Sequence, residues 1–204
     1  MPVVTISASY GAGGSQVGPR LAERLGIPFV DRAIPVVVAE RLAVPLSDAL
    51  RHDESVRGAL ERLLVRFAPA AQAFSGAVPP HELLDERTYL QATEQVIRDR
   101  ARSGEAVILG RAAAVVLHDA PRALHVRLDG AEDLRLEQAM AMEGVDRETA
   151  QRHMRETDRA REAYARHFYG ADVCDPSLYH LIVDSTVFGL DATLDLLVLA
   201  AKSR

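Results

Sequence analysis

Cysteine and lysine are almost missing from this chain: Cys174 and Lys202 are the only examples in 204 residues. A single thiol excludes an internal disulfide and a multi-cysteine metal site, and it fits a reducing compartment. With arginine supplying the rest of the 24 basic side chains, chemistry that needs a fixed ammonium group in the body of the chain is excluded as well. A basic excess is also lacking. The net charge of -5 and pI of 5.8 argue against a nucleic-acid polymer as partner, because duplex-binding surfaces carry clustered positive charge. No stretch approaches the roughly 18 consecutive apolar residues of a membrane span. Met1–Ile6 runs into a strand without the basic start and long apolar core of a signal peptide. The expected setting is cytoplasmic, away from membranes, with small molecules as partners; these features leave the oligomeric state open.

What is present alternates between two periods. Val3 to Ser7, Ile27 to Val30, Ala106 to Leu109, Ala123 to Leu128 and Leu181 to Val183 are short apolar runs rich in β-branched residues, which predicts five buried strands. Between them lie helical patterns. Val17, Leu21 and Leu25 share one face and stop at Gly26; a strong helix covers Asp85 to Ser103 and closes at Gly104. A short helix is expected to open at Gly110-Arg111, another covers Ala131 to Glu143, and Asp146 is placed to cap a charged helix reaching Tyr169. Leu190, Leu194, Leu197, Val198 and Ala201 mark a closing helix, and the stretch from Ser47 to about Phe74 is helical in pattern. Strands alternating with helices imply an α/β fold, a five-stranded parallel sheet with helices on both faces and ligands at the carboxyl ends of the strands. His125, inside an apolar strand, reads as a core histidine.

The first strand runs into Gly11-Ala12-Gly13-Gly14 and then a helix. Such a turn leaves backbone N–H groups free to face an anion, and the helix dipole adds favourable potential there. Two nucleotide motifs compete for it. A dinucleotide fingerprint uses Gly11 and Gly13, with Asp31 as the ribose-binding acid, but Gln16 is bulky where close packing wants a small residue. The mononucleotide loop G-x-x-x-x-G-K-[ST] runs from Ala8 through Gly13, with Gly14 at the lysine position and Ser15 at the hydroxyl position. Neither motif is intact.

The order of segments resembles the cytidylate kinase-like family of P-loop nucleoside monophosphate kinases. Ile6 to Gly14 is similar to that family's variant phosphate loop, in which glycine commonly replaces lysine, and Pro28 to Arg32 to its second strand. Ile108-Leu109-Gly110-Arg111 resembles the segment that binds the acceptor nucleotide, with Ala112 where cytidylate kinases carry an acid. Arg155-Glu156-Thr157-Asp158-Arg159-Ala160-Arg161 resembles the arginine-rich lid, and Leu181 to Thr186 the final strand and turn.

The resemblance implies one kinase-like domain over residues 1–204, with 31–103 as a helical acceptor-binding region and 145–170 as a lid. It implies ATP and Mg2+ as cofactors and transfer of the γ-phosphate to a nucleoside monophosphate, CMP or dCMP first. Gly11, Ala12, Gly13, Gly14, Ser15 and Gln16 are the candidates for the donor phosphates, with Ser15 or Gln16 near the metal. Asp31 and Arg111 are the candidates for the acceptor. Arg155 and Arg159, four apart on one helical face, are the candidates for stabilising the transferred group, and Arg161, displaced around the helix, is a candidate for that group or for the other nucleotide, each with the alternative of pairing on a solvated charged helix. Two other functions stay open: a nucleotide-binding protein without transferase activity, and a kinase of a non-nucleotide small molecule.

Overall fold

In the computed structural model, residues 3–30 and 86–204 are described; Asp31 and the stretch from Ser47 to Pro80 lie outside them. All five expected strands form: β1 (Val3–Ala8), β2 (Phe29–Val30), β3 (Ala106–Leu109), β4 (Ala123–Asp129) and β5 (Leu181–Asp184). They pair in parallel in the order β2-β3-β1-β4-β5, with Ile6 in register with Leu109 on one side and Val126 on the other. The central strand therefore delivers its carboxyl end, and the glycine turn, to the middle of the sheet edge where ligands collect.

The strand period of two sorts the core into layers. Val4 and Ile6 face the helices α1 (Gly14–Leu25) and α6 (Ser185–Lys202), meeting Val17, Leu21, Leu194, Leu197 and Val198. Val3 faces the opposite layer with Ala106 and Ile108, against Val96 and Ile97 of α2 (Glu86–Arg102) and Val116 of α3 (Ala113–Val116). Gly18 lets α1 approach β2, since a β-carbon there would lie 2.7 Å from the Phe29 ring.

Two helices stand over the carboxyl end of β1. In α4 (Glu132–Glu143) and α5 (Arg147–Tyr169), Leu136, Ala139, Ala150 and Met154 enclose the ring of Tyr10 from the glycine turn. Asp146 caps α5 as expected, accepting from the Thr149 N–H at 2.7 Å.

Two boundaries differ from expectation. The short helix after β3 begins at Ala113, because Gly110, Arg111 and Ala112 all take left-handed φ values of 75°, 59° and 50°. The closing helix starts at Ser185 and breaks at Gly189 (φ 74°, ψ 162°), which redirects the chain so that Leu190 packs against Gly13.

Candidate functional site

The glycine turn is held by its carbonyls. Ala8 O accepts from Arg161 Nη1 at 2.6 Å, Ser9 O from the Ala12 N–H, Tyr10 O from Arg135 Nη1 and Gly11 O from Gln138 Nε2, both at 2.7 Å. Ala12 O accepts from the buried Ser185 hydroxyl at 2.8 Å, and Gly13 O from the N–H groups of Gln16 and Val17. Six successive acceptors are thus engaged, while the N–H groups of Gly13, Gly14 and Ser15 make no hydrogen bond among the described residues. Unspent amides at a helix N-terminus, with the carbonyls anchored elsewhere, form a site of positive potential.

The turn opens on a cavity of about 430 Å³. Gly11, Gly13, Gly14, Ser15, Arg111 and Arg161 line it, so the structure brings these six expected residues together. Ala12 is buried beneath the turn, and Gln16 is exposed outside the cavity wall. Arg155 and Arg159 are also exposed and outside it; Arg161 is exposed too, but α5 directs it to the cavity mouth, where it reaches Ala8 O. Arg111 reaches the wall from the left-handed turn after β3, a conformation costing about 1–2 kcal/mol for each non-glycine residue.

Two cations of the wall were not among the expected residues. Arg127 on β4 is 7% exposed, with Nε and Nη2 on Asp129, Nη2 on Ser9 Oγ at 3.0 Å and Nη1 on Val173 O at 2.8 Å. Burial disfavours its charge, but the Asp129 carboxylate more than compensates and raises the guanidinium above its ordinary value. Its signal was visible in the chain: a charged residue within a buried strand needs a partner, and Asp129, two residues on, is on the same face. Arg135 on α4 donates to Gly130 O, Tyr10 O and Asp158, and nothing in its helical surroundings distinguished it from other helix arginines.

Asp184, at the end of β5, caps α6: its Oδ1 accepts from the Thr186 and Val187 N–H groups and the Thr186 hydroxyl, which holds its carboxyl below the usual range. Cys174 lines the cavity near Arg127, its thiol pushed up by burial against the pull of that cation. Lys202, at the end of α6, takes no part in the wall. No helix among the described residues is long and apolar enough to cross a membrane.

A family model described as cytidylate kinase-like matches residues 3–187. The chain belongs to the cytidylate kinase-like family. The match spans the glycine turn, the Gly110-Arg111 turn, α4, α5 and β5. A cytidylate kinase of Methanopyrus kandleri is 30% identical over 110 residues, 49% of this chain and 56% of that protein, so the chain spans about half the length of this curated relative. Among solved structures, an uncharacterized protein from Eubacterium ventriosum matches over 100% of both chains with 21% identity and a TM-score of 0.68. A shikimate kinase from Bacteroides thetaiotaomicron matches over 98% of both chains with 12% identity and a TM-score of 0.50. These structural likenesses bear on fold, and they agree with the expected P-loop kinase architecture.

Proposed function

We propose that this chain transfers the γ-phosphoryl group of ATP to a nucleoside monophosphate, with CMP and dCMP as the first acceptors. The observation that carries the reading is the glycine turn: anchored carbonyls, unspent Gly13, Gly14 and Ser15 amides, and the guanidinium groups of Arg111, Arg127, Arg135 and Arg161 around one cavity. Family membership and the likeness to the Methanopyrus kandleri cytidylate kinase support the same chemistry.

Phosphoryl transfer needs positioning and charge stabilisation more than covalent chemistry. The amides of Gly13–Ser15 hold the donor phosphates. Arg111 grips the acceptor phosphate through its planar fork, and Arg161, carried by α5 as a lid, neutralises charge on the transferred group. Arginines so placed do the work of the loop lysine that Gly14 replaces. The Ser15 hydroxyl, exposed on the first turn of α1 at the cavity wall, fits a place beside Mg2+, which takes few protein ligands and supplies charge neutralisation of the phosphates.

ADP release measured with purified protein across the common nucleoside monophosphates tests the proposal. Turnover with CMP or dCMP is expected, and silence with every acceptor overturns it. The missing loop lysine favours a second reading, a nucleotide-binding protein without transferase activity; tight ATP binding without turnover on any acceptor would identify it. Ala112 in place of the acid leaves room for a third, a non-nucleotide acceptor, which would reveal itself by stabilising the protein on binding.

A further inference from the structure

The cavity wall already holds an anion. The Asp158 carboxylate on α5 accepts from the main-chain N–H of Tyr10 at 2.7 Å and from Arg135 Nη1 at 2.9 Å, with Arg161 Nη1 3.8 Å away. A backbone amide and two guanidinium groups converging on a pair of oxygens is also a donor set suited to a phosphoryl group. These donors belong to three separate pieces of chain, the glycine turn, α4 and α5, so whatever oxyanion they share determines how the three sit together.

We propose that Tyr10 N–H, Arg135 and Arg161 form an oxyanion subsite that Asp158 occupies in this structure, and that a polyphosphate binds there by displacing it. The inference rests on the reading of the cavity as a polyphosphate site, and is independent of which acceptor, if any, is phosphorylated. A carboxylate and a phosphate cannot both occupy these donors, because two anions a few ångströms apart repel strongly in a partly desolvated site. Binding is therefore an exchange. Asp158 leaves the turn, while Arg161, on the same helix, remains to donate to the bound phosphate. The affinity measured for the polyphosphate is its intrinsic affinity reduced by the small fraction of molecules whose carboxylate is already displaced.

Asp158→Asn is the informative variant, since it retains an oxygen to accept from Tyr10 N–H and removes the charge. Inorganic tripolyphosphate, titrated calorimetrically into the full chain, is the probe. Glu162→Gln is the control: it removes an acid from the same cavity wall, and Glu162 makes no hydrogen bond to the turn among the described residues. If the latched form dominates, Asp158→Asn binds tripolyphosphate about tenfold more tightly, whereas Glu162→Gln changes affinity by less than about threefold. Equal gains in both variants, or unchanged or weaker binding by Asp158→Asn, overturn the proposal.

Should Asp158→Asn fail to fold, the wild-type chain supplies the answer: saturating tripolyphosphate must shift the NMR signals of the Asp158 carboxyl carbon and the Tyr10 amide, and unmoved signals overturn the proposal. The outcomes separate the two claims. Tighter binding without turnover on any acceptor keeps the subsite and removes the kinase; turnover with an unaltered Asp158→Asn affinity does the reverse.

Discussion

Gly11 and Gly13 have nearly the same backbone, φ 79° and 78°, yet they do not carry the same constraint. A β-carbon at Gly11 would overlap the main-chain carbonyl oxygen of Arg135, which cannot move without shifting α4; at Gly13 it would overlap the Leu190 methyl Cδ2, the end of a rotatable side chain. Left-handed strain is common to both, so Gly13→Ala is expected to cost about 1–2 kcal/mol and Gly11→Ala about 3 kcal/mol. Urea melts check that order, and ATP calorimetry should show the larger loss of affinity at Gly11→Ala. Arg127 poses a different problem, because its charge, its fork and its burial all matter. Arg127→Lys keeps the charge but cannot reach Asp129, Ser9 and Val173 together, so it is expected to lose about 2 kcal/mol and to loosen Ser9. If the lysine variant melts like wild type, the fork has no structural role.

At the level of elements, the strands were legible because a buried parallel strand must be apolar on both faces, and Val3–Ser7 or Ala106–Leu109 advertise that locally. Helix ends at Gly26 and Gly104 were legible for a similar reason: φ values of 67° and 85° are glycine's own territory. The left-handed run through Arg111 and Ala112 was not, since neither residue type signals it and only surrounding structure holds it in place. Nor did helical spacing reveal which arginine of α5 reaches the cavity; the packing of Ala150, Met154 and Ala165 sets that rotation, and it favours Arg161. The break at Gly189 was equally hidden. It aims Leu190 at Gly13, so the closing helix braces the glycine turn through a non-local contact. Gly189→Ala is expected to cost about 1–2 kcal/mol through left-handed strain and to weaken ATP binding by displacing Leu190. Thermal melts and calorimetry check both, and an ATP affinity equal to wild type would show that the brace does not matter.

Stability of the whole molecule is tied to pH through one buried ring. His125, 2% exposed, lies between Thr5 Oγ1 at 2.7 Å and Leu117 O at 3.1 Å, joining β4 to β1 and to the end of α3. A carbonyl only accepts, so Nε2 carries the proton and Nδ1 accepts from the Thr5 hydroxyl: the neutral ring satisfies both partners. Burial, reinforced by the neighbouring His180, lowers its pKa from 6.5 to about 4. His180 stacks on it at 5.0 Å, its Nδ1 accepts from the main-chain N–H of His125, and its own pKa is also lowered, first by burial. The unfolded chain takes up a proton near pH 6.5 that the folded chain refuses until about pH 4. Stability is therefore complete above the upper value and falls as the solution is acidified between the two. Between pH 7 and pH 5, before most carboxylates titrate, the loss from His125 is about 2 kcal/mol. Urea melts at the two pH values, compared with His125→Gln, isolate this contribution from other groups. The variant should start less stable at pH 7 and fall less steeply. Parallel losses in the two proteins would mean that the ring is protonated in the fold and that the acid sensitivity of this protein arises elsewhere.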